Sequence, residues 1–285
     1  MTNLLIYALP ALGWGLMPII SRKMGGKPVE QLLGTTIAAL AFGIIVNGIS
    51  DIDYTFFGFV ISMISGVFWG VGQLLQFIAL DKSDVSNVMP ISNGTQLLFT
   101  SLSSGILLSE WRSKTEIWAS MVVIFLVILA IRLFTKNENN DGKTKKITSD
   151  LIIVIAASSL SLTGYVTITN YFSIDGLQIF LPQSLGMFLS ALIILSLNKQ
   201  PKERNKIYGN ILTGCSWSIA NISLFYAAAH LGLGLSYTIS QLCVFVSIIG
   251  GILFLNEKKN RQETRDLLIG LTLFIISIYI LSLFK

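Results

Sequence analysis

Apolar runs set the rhythm of this chain. Residues 1–21, 31–50, 54–80, 85–109, 117–131, 151–174, 176–198 and 267–284 contain no Asp, Glu, Lys or Arg, and residues 207–256 form one long uncharged run. Crossing a hydrocarbon core about 30 Å thick takes roughly 20 mostly apolar residues in a helix. Each shorter window suits one helix, and the long run suits two, with a turn near His230-Leu231-Gly232. The pattern predicts an all-α integral membrane protein of ten transmembrane helices, with little chain outside the bilayer.

Composition agrees. Of 285 residues 53% are hydrophobic and 12% charged, against about 25% charged in soluble domains. A soluble enzyme, a secreted disulfide scaffold and a nucleic-acid binder are excluded. The net charge of +5 is a topology signal. If connections between helices are assigned to alternate sides, one side carries 17 Lys and Arg and the other only Arg112, Lys114 and Lys285. The positive-inside rule puts the richer side, with the Thr135–Ser149 loop, in the cytoplasm and both termini outside. Arg22 and Lys23 follow the first apolar run rather than precede it, which argues against a cleaved signal peptide. Cys215 and Cys243 lie inside apolar windows and read as small core residues. No metal-ligand spacing or catalytic constellation is visible, so neither a metal nor a cofactor is expected.

The hydrophilic stretch TKNENNDGKTKKITS, residues 135–149, separates residues 1–134 from 150–285, five helices on each side. The halves match in order. Gln31–Leu40 (QLLGTTIAAL) aligns with Gln183–Leu192 (QSLGMFLSAL) at an offset of 152. Gly13-Trp14 pairs with Gly164-Tyr165 at an offset of 151. Trp69, Gln73, Phe77 and Ala79 pair with Trp217, Asn221, Phe225 and Ala227 at 148, as does Ser92-Asn93 with Ser240-Gln241. Glu110 pairs with Glu257 at 147. With an odd number of helices per half, the second repeat must enter the membrane inverted. Secondary transporters use this layout, with a substrate site near the midplane and alternating access by rocking.

The same residues resemble the glucose/ribose porter family of the drug/metabolite transporter superfamily. The resemblance runs through Gly13-Trp14-Gly15, Gly25-Gly26-Lys27-Pro28, Gln31 with Gly34-Thr35-Thr36, Gly66–Gln73 (GVFWGVGQ) and Ser86–Gln96 (SNVMPISNGTQ). It continues through Gly105–Trp111, Ser173–Met187 (SIDGLQIFLPQSLGM), Ser240-Gln241 and Gly250–Glu257, spanning the whole chain. It implies bacterial uptake of a monosaccharide, glucose or ribose, across the plasma membrane and energised by protons. The Ser173–Met187 segment is closer to the ribose-uptake branch. One departure is Thr238, where the first half has Pro90, so a helix break there would be one-sided.

A sugar must exchange water for protein hydrogen bonds. Side-chain amides suit it because one group both donates and accepts, and aromatic rings suit its C–H faces. Trp69, Gln73 and Gln76 fall at i, i+4 and i+7 of the third helix, and Trp217 and Asn221 repeat the start of that face. Asn93 and Gln96 share a face of the fourth helix with Thr100, and Gln241 stands opposite in the second half with Tyr237 and Ser240. Gln31 and Gln183 head the second and seventh helices, while Trp14 and Tyr165 hold equivalent places in the first and sixth. These twelve (Trp14, Gln31, Trp69, Gln73, Gln76, Asn93, Gln96, Tyr165, Gln183, Trp217, Asn221 and Gln241) are the candidate substrate contacts. Polar residues in membrane helices also serve as interhelical glue, the reading given to Ser158, Ser161, Thr163 and Thr167. Pro10 and Pro18 flank Trp14 and would interrupt the first helix.

A proton relay usually needs an intramembrane Asp, Glu or His, and no window holds a carboxylate near its centre. Glu30, Glu110, Asp175 and Glu257 lie at helix ends, with Glu110 and Asp175 the leading proton-coupling candidates. The expected partners are thus a monosaccharide, protons and membrane lipid, and no nucleic acid. An uncoupled sugar facilitator, or an exporter of amino acids or other small metabolites on the same fold, are the alternatives. A non-transporting scaffold is a third reading.

Overall fold

Helix ends are written into the few polar residues between the apolar runs. In the computed structural model, which describes residues 2–109, 111–135, 147–174, 176–231, 236 and 239–283, α1 (Thr2–Met24) stops at Gly25-Gly26, whose φ angles of +69° and +95° suit glycine. Pro28 then opens α2 (Pro28–Ile49). Thr55 caps α3 (Phe56–Lys82), its Oγ1 accepting from Gly58 N at 3.1 Å. Next comes α4 (Val85–Ile106). Ser113 and Glu116 form a capping box at α5 (Lys114–Phe134). Thr148 caps α6 (Ser149–Tyr171). There follow α7 (Gly176–Leu197), the short α8 (Arg204–Gly209), α9 (Ile211–Leu231), α10 (Cys243–Phe254) and α11 (Arg261–Ser282).

All regular structure among the described residues is helical. Among the described residues six stretches are long and apolar enough to cross a membrane: α2, α3, α5, α6, α7 and the run Arg204–Leu231. Of the rest, α4 has the length but is rich in Ser, Asn and Thr, α10 has 12 residues, and α11 opens on charged residues. The prolines do not break their helices. α1 runs through Pro10 and Pro18, and α4 through Pro90; Thr238 lies outside the described residues.

Burial is inverted relative to a water-soluble fold. Trp118, Met121, Val122, Phe125 and Ile128 form an exposed apolar face on α5, and Ile44, Ile45, Ile193 and Leu197 are exposed on α2 and α7. Inside sit hydroxyls and amides, among them Thr35, Ser62, Ser65, Gln73, Ser158 and Asn221. Apolar surface this extensive is stable against lipid. The chain is an all-helical, multi-pass membrane protein.

The helices pack in matching pairs. α3 lies on α6 and α7, while α9 lies on α1 and α2; α4 meets α6, while α10 meets α1. α2 against α7, α4 against α10, and α5 against α11 each match themselves, while α4 also meets α5 and α2 meets α3 without a counterpart of similar extent among the described residues. Exchanging the first five helices with α6, α7, α9, α10 and α11 maps the matching pairs onto one another.

Two of the crossings are closed by glycine. A Cβ on Gly66 of α3 would strike the Gln183 carbonyl of α7, and one on Gly186 would strike the Met63 carbonyl of α3. Gly34 of α2 and Gly214 of α9 stand in the same relation at the Ile207 and Thr35 carbonyls. At the neighbouring α3–α6 crossing, where a Cβ on Gly72 would lie 3.0 Å from the Ser158 carbonyl, Ser158 and Ser161 of α6 donate to Gly72 O and Phe68 O of α3, both at 2.7 Å. Ser216 of α9 donates to Gly13 O of α1 at 2.7 Å. The glue reading of Ser158 and Ser161 thus matches their geometry.

Gly186→Ala should lower the denaturant midpoint by the equivalent of about 1–3 kcal/mol, because the backbone of α3 must move to admit the methyl group. Gly48→Ala, where an added Cβ meets nothing within 4 Å, should leave the midpoint unchanged or raise it. Unfolding of the purified variants in mixed micelles checks both, and equal midpoints would contradict the packing account.

Candidate functional site

Gly66 and Gly214 each precede a tryptophan by one helical turn. That spacing carries Trp69 and Trp217 into the seam between the halves, where the rings meet edge to face with centroids 5.1 Å apart. They are 2% and 3% exposed. Phe180 of α7 lies parallel to Trp217 at 6.0 Å and meets Phe225 edge-on at 6.2 Å. An aromatic core therefore joins α3, α7 and α9.

Amides flank it along α3. One turn beyond Trp69, Gln73 Nε2 donates to Gln76 Oε1 at 3.0 Å, and Gln76 Nε2 donates to Ser92 Oγ of α4 at 2.9 Å. Gln96 Nε2 donates to the same oxygen at 3.1 Å. One turn before Trp69, Ser65 Oγ donates to Tyr165 O at 2.7 Å and accepts from Gln183 Nε2 at 2.8 Å. Asn221, one turn past Trp217, turns its Nδ2 back to Trp217 O at 2.8 Å. Trp69, Gln73, Gln76, Gln96, Gln183, Trp217 and Asn221 thus belong to one polar and aromatic column, together with the backbone of Tyr165.

Other candidates lie around or away from it. Asn93 faces α10, its Nδ2 3.9 Å from Cys243 Sγ. Trp14 and Gln241 are half-buried, and Trp14 packs on the same apolar core. Gln31 sits near the end of α1, donating to Ser21 O at 3.3 Å, with a buried Oε1 that has no hydrogen-bond partner. Gln183 does not head its helix; it lies two turns inside α7. Glu110 and Asp175, the proton-coupling candidates, lie outside the described residues, as do Tyr237 and residues 136–146 of the linker.

Sequence reasoning missed Phe180, Ser65 and Ser92 as parts of this column. Phe180 stands three residues before Gln183, and Ser65 four before Trp69, so helical spacing from the chosen residues pointed to both.

Two carboxylates, Glu30 and Glu257, bind backbone amides at the end of the molecule that carries most of the Lys and Arg. Glu30 is buried at 1% exposure; its Oε2 accepts from Lys27 N at 2.8 Å and its Oε1 from Glu203 N at 2.7 Å. Glu257 accepts from Val85 N at 2.7 Å and Ser86 N at 2.9 Å, the first amides of α4. Lys259 Nζ donates to Asn87 Oδ1. Burial pushes the Lys259 pKa below the usual lysine value, while Glu263, Asp84 and Glu257 pull it back up. Among the described residues no group of three His, Cys, Asp or Glu could hold a metal ion.

The sugar transport protein family matches residues 5–284 of this chain. A Listeria monocytogenes protein named for sugar uptake is 39% identical over 285 residues, covering 100% of both chains. Proteins named glucose uptake protein from Staphylococcus xylosus and Bacillus subtilis are 34% and 32% identical, covering 96% and 99% of both chains. A solved protein structure superposes with a TM-score of 0.63 at 13% identity, covering 99% of this chain and 96% of that one, which establishes a shared fold.

Ser92→Ala removes the acceptor of the buried Gln76 amide and the part-buried Gln96 amide, and a buried unpaired donor costs about 1–3 kcal/mol. The variant should unfold at a clearly lower denaturant midpoint than the parent. An unchanged midpoint would contradict the network.

Proposed function

The chain belongs to the sugar transport protein family, a family of transporters rather than enzymes, and on that premise we propose that it imports a monosaccharide, glucose or ribose, by alternating access. The observation that carries this reading is the tryptophan seam. Trp69 and Trp217 occupy equivalent places in the two halves, meet across them, and are flanked by neutral amides. Such a site suits a neutral polyol: rings cover its C–H faces, and Gln73, Gln76, Gln96, Gln183 and Asn221 exchange hydrogen bonds with its hydroxyls. Trp14, Tyr165, Asn93 and Gln241 border it as outer contacts, whereas Gln31, bonded to Ser21 O near the end of α1, stands apart from it. An exporter of cations would place an acidic group here, and the described residues of the column are uncharged.

The proposed architecture is ten membrane-crossing helices in two inverted five-helix repeats, residues 1–134 and 150–285, joined by the 135–149 linker. The paired exchange of helix partners and the matching glycine crossings support it. The positive-inside count favours both termini outside. For energy coupling, Glu110 and Asp175 are the proposed proton carriers. An uncoupled facilitator is the second reading, favoured by the position of Glu30 and Glu257, both engaged with backbone amides at one end. The names of the relatives favour glucose, while the resemblance of Ser173–Met187 favours ribose.

Counterflow in proteoliposomes with labelled glucose and ribose tests the proposal, with exchange of at least one expected. Gln73→Ala and Asn221→Ala should each weaken sugar affinity by roughly 5- to 100-fold, the range expected for one or two lost hydrogen bonds. No sugar exchange by folded protein would reject import, and unchanged affinity in both variants would remove the seam as its site.

A further inference from the structure

We propose that Glu30 and Glu257 are a pair of carboxylate clasps that close the basic end of the molecule, each holding a loop or helix end of the opposite half. The inference rests on the transporter reading and gives that reading its gate. Glu30 belongs to the first half and takes the Glu203 amide of the second at 2.7 Å. Glu257 belongs to the second half and takes the Val85 and Ser86 amides of the first at 2.7 and 2.9 Å. Each carboxylate lies against a glycine: a Cβ on Gly26 would stand 3.0 Å from Glu30 Oε2, and one on Gly251 would stand 2.5 Å from Glu257 Oε2. Space for both carboxylates is thus kept by the absence of a side chain.

Neighbouring bonds cross between the halves at the same end. Lys27 Nζ donates to Pro201 O at 2.7 Å, Lys206 Nζ to Met24 O at 3.1 Å, and Asn210 Nδ2 to Gly25 O at 3.0 Å. Lys259 Nζ donates to Asn87 Oδ1. Every one of these joins a loop or helix end of one half to the other. At the opposite end the contacts among the described residues include an apolar one, the ring of Phe57 edge-on to Phe172 at 5.0 Å. The structure is therefore that of a chain closed at its basic end by directional, charge-assisted bonds.

Such a closure is strong and reversible. A carboxylate accepting backbone N–H groups makes bonds roughly twice as strong as neutral ones, and the N-terminus of α4 adds a favourable dipole. Water can replace each bond once the loops separate, so the net cost of opening is small. Release of Glu257 frees the first turn of α4, the helix that carries Ser92 and Gln96 into the column. A carboxylate at this place therefore controls the element that lines the candidate site without touching the sugar.

Cys243 is the reporter. It is buried, faces Asn93, and stands about 18 Å along α10 from the basic end at 1.5 Å per residue. In a Cys215→Ser background it is the single thiol. Sealed vesicles that expose the Thr135–Ser149 loop are treated with a membrane-impermeant maleimide, with no sugar present, so failure of the clasp and failure of the sugar reading are told apart. Glu30→Ala with Glu257→Ala should speed Cys243 alkylation from the basic side by about tenfold or more. Asn87→Asp, which sets a carboxylate against the Lys259 ammonium, should slow it. Gel filtration and the denaturant midpoint establish that each variant is folded, and Asn87→Asp carries the test by itself if the double variant is not. Rates unchanged in the folded variants, or raised equally from both faces, would overturn the proposal.

Discussion

Close approach of backbones at the α3–α7 and α2–α9 crossings is the constraint on which the rest depends. Lipid offers helices no hydrophobic reason to associate, so contact and hydrogen bonding must hold them. Gly66, Gly186, Gly34 and Gly214 remove the side chains that would keep the crossings apart. At the adjoining α3–α6 and α1–α9 crossings serine hydroxyls reach carbonyls on the facing helix, as Ser65, Ser158, Ser161 and Ser216 do. The glycine crossings also place the tryptophans. Each lies one turn past a crossing glycine, so the packing that holds the halves together also brings Trp69 against Trp217.

Charge is kept out of this region and used at its end. The column along α3 is built from amides, hydroxyls and rings, groups that a membrane interior tolerates when their hydrogen bonds are satisfied. Carboxylates appear where backbone amides and water are available. Glu30 and Glu257 are carboxylates of that kind, and their partners lie across the division between halves. The candidate binding column at the centre and the proposed closure at the end are thus separate in space, and α4 connects them, with Glu257 bound to its first turn and Ser92 in its middle.

Much of the helical arrangement was legible because charge-free windows and capping residues mark where a helix can cross and where it must stop. The proposed repeat rests on recurrences such as Trp69 with Trp217, or Gln31 with Gln183, at nearly constant offsets. Third-dimensional consequences were less so. Pro10, Pro18 and Pro90 suggested breaks, yet α1 and α4 run through them, since a membrane helix can accommodate a lost amide when neighbours pack against it. Gln31 and Gln183 align in sequence but not in environment, for Gln31 lies by the basic end and Gln183 beside the tryptophans. Phe180 stands one turn from Gln183, but its stacking on Trp217 depends on the packing of α7 against α9 and not on that spacing. Glu30 and Glu257 read as helix-end charges, and their role depends on amides more than 170 positions away.

The most direct test of the central claim, that a sugar occupies the tryptophan seam, is photolabelling with a diazirine-bearing monosaccharide followed by peptide mapping. The account predicts adducts in both segments 65–76 and 217–221, suppressed together by excess unlabelled sugar. Competable adducts confined to one half, or lying outside these two segments, would contradict it.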